Sequence, residues 1–203
     1  MKIKINKKEY ESGKITRSKY GLYRKVYESL SEKDTAGQVF DDCDLDNMIQ
    51  AIVDVYDNQF TFEEACDALD EVSDVIFNFS LINTEILEKT NSLAKEKAKT
   101  KKTNTITIKG KEYKCGKITR KKYKAFRDVY SKLMREDKET YTDCEFDNMI
   151  QTIVDVYDNQ FTFEEACTEL EDVSQIIFNF ALINANIIQS VANKSNDAKK
   201  NLN

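Results

Sequence analysis

Residues Asp46–Cys66 read DNMIQAIVDVYDNQFTFEEAC and residues Asp147–Cys167 read DNMIQTIVDVYDNQFTFEEAC, differing only where Ala51 becomes Thr152. One structural unit is therefore written twice, and the pattern inside that unit decides the fold. Met48, Ile49, Ile52, Val53 and Tyr56 recur at helical spacing and predict an amphipathic helix that stops at Asp57-Asn58. Thr61-Phe62-Glu63-Glu64 and Thr162-Phe163-Glu164-Glu165 are capping boxes that start a short third helix, with Phe62, Ala65, Cys66 and Leu69 on one side.

Outward from this stretch the duplication continues. Tyr10–Arg17 matches Tyr113–Arg120, and Val75–Asn83 (VIFNFSLIN) matches Ile176–Asn184 (IIFNFALIN). The register slips by two residues between Tyr27 and Cys43, which predicts an exposed loop of variable length there. Lys2–Asn6 alternates polar and apolar residues and, with Glu9–Gly13 across the Asn6-Lys7-Lys8 turn, reads as a short hairpin; Thr105–Lys109 repeats it. Helix one starts from Thr16, with Tyr20, Tyr23, Tyr27 and Leu30 at helical spacing and Tyr123, Phe126, Tyr130 and Leu133 as counterparts. Helix four carries a core stripe of Val72, Val75, Ile76, Phe79, Ile82 and Ile86.

The fold class is mainly α: two tandem copies of a small helical domain, each with a short N-terminal β-hairpin and about four helices. The expected boundaries are 1–90 for the first repeat, 91–104 for a Lys-rich, partly helical linker, 105–193 for the second repeat and 194–203 for a polar, disordered tail. A domain of this size buries only about two thirds of its unfolded surface, so each copy is expected to lean on its twin, on a self-associated neighbour or on a client.

Chemistry is sparse. The 203 residues contain no His, which removes Ser-His-Asp and Cys-His catalysis together with the commonest zinc ligand. Five glycines leave little room for a phosphate-cradling loop. The five cysteines show no CxxC spacing; Cys43 and Cys144 lie among acids, Cys66 and Cys167 sit on an apolar helix face, and Cys115 replaces Ser12. Asp42-Cys43-Asp44-Leu45-Asp46 imitates the start of a calcium loop, but Asn47 and Val53 stand where Gly and Glu are required. These acids are better placed before and within the first turn of helix two. The reading is a non-enzymatic chain without cofactor or metal.

Net charge is −5, basic at the start of each copy and acidic through Asp41, Asp42, Asp44, Asp46, Asp54 and Asp57. Solvated faces of opposite sign are the favoured reading of that segregation, ahead of a basic docking surface. No apolar run approaches the ~20 residues of a membrane span, and no targeting segment is apparent, so a cytoplasmic protein is expected.

Helix four also carries a second apolar side, Phe77 with Leu81 and, in copy two, Phe178 with Leu182. A helix apolar on two sides is either sandwiched within its fold or binds something. These four are the first candidates for partner contact. Tyr56, Phe60, Tyr157 and Phe161 at the turn are the second, with a hydrophobic plug between helices two and three as the favoured alternative.

Val55-Tyr56-Asp57-Asn58-Gln59-Phe60-Thr61-Phe62-Glu63-Glu64, repeated at Val156–Glu165, resembles the tail assembly chaperone family of long-tailed, siphovirus-type phages and prophages of Gram-positive bacteria. The short N-terminal strand, the Lys-Ile-Thr lead-in to helix one and the acidic helix after the turn belong to the same resemblance. It covers about ninety residues of each copy and departs from the family in being duplicated. The resemblance implies a protein that binds the tape measure protein, keeps it soluble, helps recruit tail tube subunits, acts in the bacterial host cytoplasm and leaves before the tail is finished. A longer frameshifted form is a further implication, for which Lys199-Lys200-Asn201 would suit a slippery site. The different-class alternative is a nucleic-acid-binding regulator using the basic hairpins and the linker.

Overall fold

The computed structural model describes the backbone of residues 1–100, 104–133 and 140–200; the side chains of residue 100 and of 189 onward are outside the described set. In the first copy, β1 (Lys2–Ile5) and β2 (Lys8–Glu11) pair antiparallel, Lys2 opposite Glu11 and Ile5 opposite Lys8. Asn6 and Lys7 make the two-residue turn with φ of 49° and 69°, the left-handed pair whose twist suits a tight hairpin. Alternation then turns Ile3 and Ile5 inward and leaves Lys2 and Lys4 in solvent. In the second copy β3 (Thr105–Ile108) and β4 (Lys111–Lys114) repeat this arrangement, the turn being Lys109 and Gly110 with φ of 50° and 71°.

Four helices follow in each copy. Helix α1 (Arg17–Thr35) begins at Thr16, whose hydroxyl accepts from the Lys19 N–H. Helix α2 (Asp42–Val55) begins with a capping box between Asp41 and Asp44. Lys33 bridges these carboxylates, 2.6 Å from Asp44 and 3.1 Å from Asp41. The acids that imitate a calcium loop thus close a helix end. Helix α3 (Phe62–Ala68) starts from the Thr61–Glu64 capping box, and α4 (Val72–Thr100) completes the copy. The second copy contains α5 (Arg120–Leu133), α6 (Asp143–Val156), α7 (Phe163–Glu169) and α8 (Val173–Lys200), with capping boxes at Thr142–Glu145 and Thr162–Glu165.

Within a copy α1 packs on α2, α2 on α3, and β1 against α3. Tyr23 of α1 meets Phe79 of α4 with ring centroids 4.8 Å apart, and Phe126 meets Phe180 at 5.3 Å. The chain forms two compact units, one of Met1–Lys89 with Asp172–Ser174 and one of Thr90–Glu171 with Gln175 onward. The last turns of α4, from Thr90, therefore belong to the second unit.

Four expectations change. Residues 29–35, read as part of the variable loop, are the end of α1, so in copy one the length difference falls at 36–41; residues 134–139 of the corresponding stretch lie outside the described residues. Val75, Phe79, Ile82 and Ile86 face the core, whereas Val72 and Ile76 are exposed, because a narrow stripe already satisfies the interior and its flank turns outward. The Lys-rich stretch after Ile86 continues α4 without interruption to Thr100, while 101–103 lie outside the described residues. The stretch 194–200, expected to be tail, is drawn as the end of α8, and 201–203 lie outside the description.

Two predictions arise from these termini and turns. Lys7 holds a left-handed conformation that the second hairpin gives to Gly110; relief of that conformation is worth about 1 kcal/mol and unfolded-chain entropy returns part of it. Lys7→Gly is expected to raise the urea midpoint slightly, whereas Gly110→Lys is expected to lower it. Hydrogen bonding to Lys33, then to the Asp44 N–H, holds the Asp41 carboxyl below its ordinary range; the Thr162 N–H, then Lys109, does so for Glu165. Such groups bind fewer protons folded than unfolded, so their stabilisation is present above the ordinary carboxylate pKa, about 4, and is lost as pH falls through the folded value. The urea midpoint should accordingly fall in acid, and Glu165→Gln, which retains a capping acceptor but cannot titrate, should make that fall shallower.

Candidate functional site

The strongest sequence motif is built first. After α2, Asp57 and Asn58 both adopt left-handed backbone, φ 59° and 53°, a geometry Asn and Asp tolerate better than most residues. Asp57 Oδ1 then lies 2.7 Å from Lys19 Nζ, which also donates to the carbonyls of Lys14 and Val55 at 3.2 and 3.3 Å. A cation thereby closes the C-terminal end of α2 while fixing α1 beside it. Gln59 Nε2 donates to the Glu11 carbonyl at 2.9 Å and ties the turn to the hairpin. Phe60 fills the space between, 5.1 Å from Tyr10 and 5.5 Å from Tyr56 between ring centroids.

The second copy reproduces the ion pair, the helix-end carbonyl contact, the glutamine tie and the aromatic packing. Lys122 Nζ is 2.6 Å from Asp158 and 3.0 Å from the Val156 carbonyl, Gln160 donates to Lys114 at 3.0 Å, and Phe161 packs on Tyr113 and Tyr157. A Cβ on Gly13 would stand 3.0 Å from Asp57 Oδ2, and one on Gly116 only 2.5 Å from Asp158 Oδ2, so a side chain there would push against the carboxylate that pairs with the lysine.

Tyr56, Phe60, Tyr157 and Phe161 are consequently buried in the interior of their copies. Burial also pushes the Tyr56 and Tyr157 hydroxyls above the ordinary tyrosine range, with Glu85 adding to the effect at Tyr56 and Cys115 at Tyr157. The turn is a structural lock, and its aromatic rings present no open surface in this structure.

The α4 candidates divide differently. Phe77 is 59% exposed and Leu81 half-buried on one outward side of α4, and Val72 and Ile76 are exposed on a different flank of the helix. Phe178 and Leu182, by contrast, are 9% and 8% exposed. In the second unit Phe178 lines a groove of about 200 Å³ with Leu93, Lys97, Ile106, Glu169, Leu170 and Gln175. Leu93 and Lys97 come from the end of α4. Their role was not anticipated from sequence, although the signal was present: Leu93 and Lys97 stand four residues apart in a stretch without Gly or Pro that continues an amphipathic helix.

Lysines of both hairpins are engaged locally. Lys2 pairs with Glu9, Lys8 lies over the Tyr10 ring, Lys109 pairs with Glu165, and Lys111 lies over Tyr113. None of the five cysteines is in a disulfide; Cys43 and Cys144 are exposed, Cys66 and Cys167 half-buried and Cys115 buried. Burial raises the Cys66 thiol, with nearby acids adding to the effect, and raises Cys115 against an opposing Lys122. Neither environment favours a thiolate nucleophile.

The model of a family described as phage tail chaperone protein matches residues 1–103 and again residues 94–203. The chain belongs to the phage tail chaperone family. The two overlapping matches show that this chaperone is a tandem duplicate of the family unit. No curated protein and no solved structure matches it.

The two sets of aromatic candidates differ in how truncation should register. Phe161→Ala is expected to destabilise the chaperone by about 3–5 kcal/mol as a buried aromatic loss, whereas Phe77→Ala should change stability by no more than about 0.5 kcal/mol as a surface change. Urea titrations of the two variants decide whether turn and ridge have these separate roles.

Proposed function

We propose that this chain is a tail assembly chaperone that binds the tape measure protein, keeps it soluble and helps recruit tail tube subunits during tail morphogenesis in the host cytoplasm. The family match over both halves carries the reading. The outward apolar side of α4 made by Phe77 and Leu81 supports it, because exposed apolar side chains one turn apart on a helix suit an amphipathic client helix. The role asks for no catalysis. Binding alone shields a client whose apolar faces would otherwise associate. Among the described residues no helix is long and apolar enough to cross a membrane, which agrees with assembly in an aqueous compartment.

Phe77 and Leu81 are the contact residues of this reading in the first copy. Lys2, Lys8, Lys109 and Lys111 of the hairpins are engaged by Glu9, Tyr10, Glu165 and Tyr113, which weighs against the nucleic-acid alternative. Co-expression with the tape measure protein of the same phage is expected to give a soluble complex that co-purifies, and Phe77→Glu should return that protein to the insoluble fraction. A tape measure protein equally insoluble with and without the chaperone, and no complex between them, would sink the reading.

A further inference from the structure

The two copies are built alike, yet their α4-type ridges are treated oppositely. In the second unit, Leu93 and Lys97 line the groove over Phe178 together with Ile106, Leu170 and Gln175. The counterparts of those last four in the first copy are Phe77, Ile3, Leu69 and Asp74. Lys97 Nζ donates to the Thr105 carbonyl at 2.7 Å and to its hydroxyl at 3.3 Å, which anchors the α4 end beside β3. The first copy's ridge is open: Phe77 is 59% exposed against 9% for Phe178.

Charge defines what such a ridge accepts. From Thr61 to Glu88 the first copy contains no Lys or Arg, and Asp67, Asp70, Glu71 and Asp74 stand exposed at the α3–α4 corner. No ion pair joins any of these four among the described residues. Lys4 of β1 is the one cation at the position of Thr107. The α4 end has the complementary character, carrying Lys95, Lys97 and Lys99 around Leu93, Ala94 and Ala98. In the second groove its Lys97 lies among the same lining residues as Glu169.

We infer that residues 90–100 act as a built-in ligand that fills the second copy's ridge in cis, and that the first copy's ridge is the one open site, selective for a lysine-bearing amphipathic helix of the same chemistry. The site is thus asymmetric, one occupied and one available per chain. Coulombic attraction at the acidic corner favours the basic helix and weakens with salt, while Leu and Ala side chains supply the apolar contact along Phe77. The inference rests on the chaperone reading only for the identity of the natural helix.

The test uses the full chain and a fluorescent synthetic peptide of residues 86–100, ILEKTNSLAKEKAKT. Wild-type protein is expected to bind one peptide, several-fold more weakly at high salt, and Phe77→Glu to bind it at least tenfold more weakly. Leu93→Asp with Lys97→Asp, which expels the built-in ligand, should raise the stoichiometry from one to two. No binding by the wild type, undiminished binding by Phe77→Glu, or a stoichiometry fixed at one in the double variant overturns the inference. So does sedimentation of the wild type as an oligomer that Phe77→Glu dissolves, since the ridge would then belong to a second copy. If the tape measure protein binds wild type and Phe77→Glu alike, the inference falls and the chaperone reading stands; if the peptide binds as described while no tail protein does, the reverse holds.

Discussion

Everything else in a copy is arranged around the lysine at the C-terminal end of its second helix. Lys19 neutralises Asp57 and takes up the Val55 carbonyl, so one ammonium joins three segments distant in sequence: the lead-in to α1, the end of α2 and the turn beyond it. A half-buried cation with a single carboxylate and backbone acceptors has no freer arrangement available, and Gly13 is the small residue that lets the pair close. With the pair in place, Gln59 reaches Glu11 and Phe60 seals the hairpin to the helices. Lys122, Asp158, Gly116, Gln160 and Phe161 repeat the arrangement, so the motif DNQF has the same structural part in both copies.

That lock frees α4 from part of the work of closing the core. Val75, Phe79, Ile82 and Ile86 suffice as its inner stripe, and the remaining apolar residues face outward. Stability thereby rests on the turn, which is nearly the same in both copies, while Phe77 stands outside the interior of the first copy.

Sequence made the architecture legible where a residue type has one local meaning. Thr61 before Glu64, Asp57-Asn58 after a helical run, and Ile alternating with Lys in Lys2–Ile5 each specify their element through backbone chemistry alone. Burial of Phe60 was harder to read, because an aromatic residue in a turn can either plug the fold or protrude, and only the Tyr10 and Tyr56 rings on both sides settle it. The difference between Phe77 and Phe178 could not be read from either copy, whose local sequences are nearly the same. It arises from the chain beyond them: the stretch read as a Lys-rich, partly helical linker is, in the fold, a continuous extension of α4 to Thr100.

Near-identity of the copies also poses a problem of pairing during folding, since either turn fits either hairpin. Gln59 finds Glu11 across 48 residues, and the exchanged partner Gln160 lies roughly three times as far along the chain. Loop-closure entropy favours the correct pairing by only about 1 kcal/mol at that ratio. The ribosome supplies further discrimination: the first copy emerges complete, with its own hairpin, before the second turn exists, so synthesis order protects a register that side-chain chemistry leaves nearly degenerate.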